Sequence, residues 1–262
     1  MIKYDKNENI QPDIKDIYRT VNGLNLPVHI FKPKIENDKN EYVVICIHGG
    51  GWRTGRKDNS EWSGGDIIHQ AKIFALLGYT GVAISYRCIT NPDTDITDLI
   101  DDCSKAVLYV KEKLNVDNEH IILIGDSAGA HLATCLGITD EDEVRPEIVI
   151  SCNPVLDCTK KFTYASDNEN VRKWASPVLR DINKCSKFLF MHGDADTTTP
   201  IEDTIKMNER LNKMGFDSEL ITLKNIMHAF ILYDYRSTDE EVEKYMDMIE
   251  EYLNRNLLKE RK

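Results

Sequence analysis

The sequence contains no run of apolar residues near the roughly 20 that a bilayer-spanning helix needs, which excludes insertion into a membrane by a helix. Positive charge is in deficit: 33 Lys and Arg stand against 44 Asp and Glu, a formal net charge of −11. Nucleic acid and anionic membranes are therefore not expected partners, because phosphate binding needs a basic face. Cysteine is sparse and odd in number, seven in all, with no C-x-x-C pair. Cys46, Cys103 and Cys135 sit in apolar strand or helix patterns, where a thiol acts as a small hydrophobe. Free buried thiols fit a reducing compartment. His29, His69 and His120 are scattered with no H-x-x-x-H or Cys/His spacing, so neither a catalytic metal nor any other cofactor is expected. The first residues, Met1-Ile2-Lys3-Tyr4-Asp5-Lys6-Asn7, lack the apolar core of a secretory signal, and the expected location is the cytoplasm.

What is present is an ordinary globular composition, 41% hydrophobic and 29% charged. With 262 residues, no internal repeat and no long linker, the expectation is one α/β domain over 1–262. Residues 1–15 are polar and read as extended or frayed. Period-2 alternation over 17–21 and 26–31, joined by Asn22-Gly23, predicts an antiparallel hairpin. Continuous apolar runs at 42–47, 80–86, 121–124, 147–152, 187–193 and 219–223 predict strands buried on both faces, as parallel sheets require. Helical stripes lie between them, the clearest being Ile96, Leu99, Ile100, Cys103, Val107, Val110 and Leu114, and Val242 through Leu257. The result is a mostly parallel sheet with helices on both faces. Residues 156–186 lack periodicity but carry Phe162, Tyr164 and Trp174, which predicts a short lid.

Four motifs follow predicted strands, where open α/β sheets carry their sites. Gly125-Asp126-Ser127-Ala128-Gly129 is a G-x-S-x-G turn from strand to helix, which holds the Ser127 hydroxyl above the sheet. A side chain at either glycine would meet neighbouring backbone. His48-Gly49-Gly50-Gly51-Trp52 lets backbone N–H groups approach a ligand atom closely. With the Ala128 N–H, those of Gly50 and Gly51 form a candidate oxyanion hole. No lysine follows in P-loop spacing, so a phosphate cradle is the poorer reading. His192-Gly193-Asp194-Ala195-Asp196 offers two acids, one of them expected to cap a loop. His228 comes after the last strand, which completes the chain order Ser…Asp…His. Ser127 is then the nucleophile, His228 its base, and Asp196 the group that orients the imidazole. Trp52 either offers an aromatic wall to a bound acyl group or sugar, or packs under the glycine loop. His131, on the helix after Ser127, reads as a core histidine.

Over nearly its whole length the sequence resembles the α/β-hydrolase esterases. It is most similar to the HGGGW-type carbohydrate esterases of the feruloyl and acetyl-xylan group, with kynurenine formamidases as cousins. The resemblance rests on His48–Trp52, Ser85-Tyr86-Arg87, Gly125–Ala133, Ala175-Ser176-Pro177, His192–Asp196 and His228-Ala229-Phe230. It implies that Asp196 rather than Asp194 is the acid, and that Arg87 and Asp102 form a buried structural ion pair. Only 41 residues precede Tyr42, too few for a helical N-terminal cap beside the hairpin, and Cys88-Ile89-Thr90-Asn91 replaces the usual L-A-P-E run. The activity implied is hydrolysis of small, short-acyl carboxylic esters, such as acetylated sugars, through an acyl-enzyme on Ser127. An aryl formamidase or small amidase using the same residues is the alternative. A non-catalytic binding protein on the same fold is a third reading, which the intact set of motifs disfavours.

Overall fold

A computed structural model of the chain describes residues 10–54, 56–57, 61–62, 65–90, 93–160, 165–233 and 235–257. The predicted frayed start lies, for residues 1–9, outside them. The N-terminal hairpin forms as read: β1 (Ile14–Val21) pairs antiparallel with β2 (Leu24–Phe31) through the turn at Asn22 and Gly23, both at positive φ. The remaining strands of the main sheet are β3 (Val43–Ile47), β6 (Thr80–Ile84), β7 (Ile121–Asp126), β8 (Ile148–Cys152), β9 (Lys187–Gly193) and β10 (Ser218–Leu223). Their order is β1-β2-β6-β3-β7-β8-β9-β10. β2 meets β6 antiparallel, and every pair from β6 to β10 is parallel. A two-residue pair, β4 (Arg56–Lys57) with β5 (Glu61–Trp62), stands apart from this sheet; strands that short leave no periodic signal in the sequence.

Helices cover both faces because each central strand is apolar on both sides. Val43, Ile45 and Ile47 of β3 join Val82, Ile84 and Leu123 in one core. That core is closed by α2 (Ile96–Leu114), α3 (Ala128–Gly137) and α5 (Ile201–Lys213) through residues such as Leu99, Leu132 and Leu211. The alternate residues Val44, Cys46, Ala83, Ile122 and Ile124 join a second core. It is closed by α1 (Gly65–Leu76) and α6 (Asp239–Leu257) through Phe74, Ile249 and Leu253. The period-2 geometry of a strand makes this division automatic. α2 starts on a capping box, in which Asp95 accepts from the Thr97 N–H and Asp98 reaches back to the Asp95 N–H.

Beside α2, the ion pair predicted at Arg87 and Asp102 is bidentate, Nε to Oδ2 at 2.7 Å and Nη2 to Oδ1 at 3.1 Å. Asp102 is fully buried and also receives Arg19 Nη1 at 2.6 Å. A buried carboxylate needs this much compensation, and the pairing ties β1, α2 and the chain after β6 together.

The segment 156–186 contains α4 (Glu169–Trp174) and lies against α2 and α3. The Ala165 carbonyl accepts from the Ile96 N–H, and the Ala175 carbonyl accepts from His131 Nε2 at 2.7 Å. Phe162 and Tyr164 fall outside the described residues. Among the described residues no helix is long and apolar enough to cross a membrane.

Helix α3 is pressed onto the sheet by backbone alone. A Cβ on Gly129 would stand 2.1 Å from the Ile47 carbonyl oxygen and 2.5 Å from that of His48; one on Gly125 would stand 2.3 Å from the Gly129 carbonyl carbon. Gly129→Ala should therefore destabilise the chain by about 1–3 kcal/mol or more, read as a lowered urea midpoint. His131, on the same helix, is fully buried, and burial pushes its pKa down to about 4. An unfolded histidine takes up its proton near pH 6.5, so the unfolded chain binds more protons than the folded one between about pH 6.5 and 4. Stability should fall across that window as pH falls, by on the order of 3 kcal/mol from this residue. Urea unfolding from pH 7 to 4.5 should show a shallower slope for His131→Leu than for the natural chain.

Candidate active site

The site lies at the carboxyl ends of β3, β7, β9 and β10. Ser127 sits between β7 and α3 at φ 53, ψ −115, a conformation rare for a residue with a side chain. The surroundings enforce it: the Ser127 N–H donates to the Cys152 carbonyl at the end of β8, and its own carbonyl accepts from the His131 N–H. The hydroxyl is thereby held at the floor of a cavity, with the residue 9% exposed. Strain of this kind persists only where the fold over-determines it.

Three predicted residues come into direct line. Ser127 Oγ lies 2.8 Å from His228 Nε2, and His228 Nδ1 lies 2.7 Å from Asp196 Oδ2. Because the carboxylate can only accept, Nδ1 carries the proton and Nε2 is the acceptor facing the serine hydroxyl. Asp196 is held by more than His228. Thr199 Oγ1 donates to its Oδ2 at 2.9 Å, and the Thr198 and Thr199 N–H groups donate to Oδ1 at 2.7 and 3.0 Å. His192 Nε2 stands 3.2 Å from Oδ2, while its Nδ1 accepts from Thr204. Burial by itself raises the pKa of this carboxyl, but the hydrogen bonds from His192, His228 and Thr199 outweigh it and hold the group well below the usual carboxylate range. Asp194 serves the loop instead, accepting from the Asn225 N–H at 2.5 Å.

The glycine loop faces this line. Gly50 and Gly51 both line the cavity at φ +101 and +60, and Gly50 closes a tight turn whose carbonyl accepts from Arg53 and Thr54. A Cβ on Gly49 would lie 3.3 Å from Ser127 Cβ, so the loop abuts the serine. Tyr86 orients it: its hydroxyl donates to the His48 carbonyl at 2.8 Å, reaches that of Gly49 at 3.2 Å, and its ring stacks on His48 at 4.1 Å. In a trans peptide the carbonyl and the next N–H point in opposite directions, so Tyr86 also sets the direction of the Gly50 N–H. Ala128 opens α3, and its N–H is among the first-turn donors that have no acceptor within the helix. The dipole of α3 favours negative charge at that end.

The expectation of an aromatic wall at Trp52 is corrected. Trp52 is 2% exposed and packs in the core beneath the loop, edge-on to His131 with ring centroids 5.2 Å apart. It therefore offers no wall to a ligand: positive φ at Gly50, Gly51 and Trp52 turns the chain so that the indole points inward. Nor does any described residue of 156–186 line the cavity. Its wall comes from Ile67 of α1 and from Ala229, Leu232, Tyr235 and Arg236, between β10 and α6. Tyr86, Thr199 and His192 were visible only as letters within or beside motifs, since their roles depend on contacts across the sheet. Asn153 carried no local signal. It sits at φ 39, fully buried, donates from Nδ2 to Asp126 at 3.1 Å, and its backbone carbonyl oxygen lies 3.3 Å from Thr199 Oγ1. Among the described residues, no group of three or more His, Cys, Asp or Glu is arranged to hold a metal ion.

The chain is similar in sequence and fold to known proteins. The chain is 29% identical over 144 residues to carboxylesterase NlhH of Mycobacterium tuberculosis, covering 53% of this chain and 42% of that one. It is 25% identical over 158 residues to the ethyl acetate hydrolase of Pseudomonas putida, covering 57% and 47%. The chain spans between about a fifth and about a half of the length of the first curated relatives it matches. Among solved structures, Thermogutta terrifontis esterase 2 phosphorylated by paraoxon superposes with a TM-score of 0.79 at 24% identity, covering 92% of this chain and 93% of that one, a likeness of α/β-hydrolase fold. The BD-FAE family model matches residues 28–172, more than half of the sequence, and the chain belongs to the BD-FAE family of α/β-hydrolases.

Proposed function

We propose that this protein hydrolyses small carboxylic esters through an acyl-enzyme on Ser127. The observation that carries the proposal is the unbroken line from Ser127 Oγ to His228 Nε2 at 2.8 Å and from His228 Nδ1 to Asp196 at 2.7 Å. In the first half-reaction Ser127 Oγ attacks the ester carbonyl carbon and its proton passes to His228 Nε2. Collapse of the tetrahedral intermediate breaks the bond to the alcohol oxygen, which leaves with that proton. In the second half-reaction water attacks the acyl carbon, His228 takes the water's proton, and the acid departs as Ser127 regains its hydrogen. Asp196 remains ionised throughout, keeps His228 in the useful tautomer and stabilises the imidazolium. The N–H groups of Gly50, Gly51 and Ala128 receive the negative charge that develops on the carbonyl oxygen. No cofactor enters any step.

Small esters with short acyl groups, acetylated sugars among them, are the proposed substrates. A cavity of about 520 Å³ supports that size class, and both polar and apolar residues line it, Thr54 and Thr198 beside Ile67 and Leu232. Similarity to an ethyl acetate hydrolase lends support from outside the chain.

Ser127→Ala should reduce p-nitrophenyl acetate hydrolysis to a residue of roughly 10⁻⁴ or less of the natural rate, and a fluorophosphonate probe should label the natural chain and not the variant. Retention of substantial turnover by Ser127→Ala would exclude the assigned nucleophile. Asp196→Asn should lower kcat by roughly 10³–10⁴-fold, because an uncharged amide leaves His228 in the wrong tautomer and its cation unstabilised. Thr199→Val removes one donor and leaves the others in place, so its loss of kcat should be far smaller than that of Asp196→Asn.

A further inference from the structure

Arg236 is the only lysine or arginine among the described residues that line the cavity. It stands out in a chain with a net charge of −11, and the two described acids of the site are already engaged. Asp196 is fully buried and held by the donors described above. Asp126, 2% exposed, accepts from Asn153 Nδ2. Arg236 itself is exposed and, among the described residues, has no carboxylate partner. Its contacts are to neutral groups. Nη1 reaches the His228 carbonyl at 3.4 Å, and the guanidinium lies over the Tyr235 ring, 5.2 Å from its centroid. A guanidinium has five N–H donors in a fixed fork, and one weak bond to a carbonyl leaves the rest for a ligand. Stacking on Tyr235 restricts the side chain, which lowers the entropy lost when an anion binds.

The position of this cation relative to the reaction is set by His228. The leaving oxygen must come within reach of His228 Nε2, which protonates it, so the alcohol part of an ester lies on the His228 side of Ser127. Arg236 is attached to that same residue through its carbonyl. We propose that Arg236 is a specificity-determining residue that binds a carboxylate on the alcohol part of the substrate, so that the preferred esters are acylated hydroxy acids, sugar acids included, rather than acylated neutral alcohols. This rests on the ester-hydrolase reading of Ser127. A planar carboxylate matches the guanidinium fork, and no other described lysine or arginine lines the cavity to hold one elsewhere.

The test compares 4-acetoxybenzoate with its methyl ester, which have the same acetyl group and differ in one negative charge on the alcohol side. The quantity read is the ratio of kcat/KM values, charged over neutral, in the natural chain and in Arg236→Gln. That ratio should fall by about fivefold or more in the variant, chiefly through KM, as expected for loss of one partly exposed charge contact. Arg236→Lys should keep an intermediate ratio, and added salt should compress the ratio of the natural chain while leaving that of Arg236→Gln nearly level. An unchanged ratio in Arg236→Gln, with both substrates slowed equally or not at all, would overturn the assignment and leave Arg236 a structural support of His228. Ser127→Ala, run alongside, separates this failure from failure of the underlying reading. Equal turnover in Ser127→Ala overturns the catalytic proposal, whereas Ser127-dependent turnover with an unchanged ratio overturns the role of Arg236 alone.

Discussion

The close approach of two backbones, α3 at Gly129 and the end of β3 at Ile47 with His48 just beyond it, is the constraint from which the site follows. Only a residue without a Cβ permits it, since an added carbon would lie 2.1 Å from the Ile47 oxygen. The approach brings the start of α3 against the end of β3, and β3 runs on directly into the glycine loop. The serine between β7 and α3 and the loop after β3 are therefore neighbours because of a packing distance. The unusual dihedrals of Ser127 are part of the same arrangement, with dispersion and burial across two cores opposing the local strain.

A second constraint is electrostatic. Asp196 is buried, where an isolated carboxylate would be costly, and its charge is retained because side-chain and backbone donors converge on both of its oxygens. The donors come from several places: Thr198 and Thr199 from its own loop, His192 from β9, and His228 from beyond β10. Asn153 links this group to the serine elbow, its backbone carbonyl lying against Thr199 Oγ1 and its side-chain amide donating to Asp126. The polar floor of the cavity is thus one connected network, and its members tend to be felt together rather than singly. Arg87 and Asp102 show the same logic away from the cavity, where a buried ion pair fastens α2 to the sheet.

Legibility in the sequence followed the range of the interaction. The strands of the parallel sheet, the hairpin and the long amphipathic helices were readable because apolar periodicity is local, and the observed spans from Ile14–Val21 to Asp239–Leu257 follow those patterns. Ser127 and His228 could be picked out by type and order, and Asp196 over Asp194 by the resemblance, and the structure brings the three within hydrogen-bonding distance. Trp52 shows where that reading stopped. A tryptophan after three glycines has the same letters whether it faces ligand or core, and positive φ through the turn directs it inward against His131. Residues 156–186 show it again: aromatic content without periodicity suggested a lid, but contacts with Ile96 and His131 hold the described part of that segment against α2 and α3.

By itself the sequence determined the sheet, its helical layers and the chemical types available at the strand ends, because hydrophobic period and the demand for glycine at a sharp turn are properties of short stretches. Tertiary structure alone decided the rest. It gave Tyr86 and Asn153 their tasks and walled the cavity with the chain around Leu232, Tyr235 and Arg236. Each of those outcomes depends on distances between residues 30 to 100 or so positions apart in the chain, which are fixed only when two cores close on the sheet and the backbone polar groups at its edge find their partners.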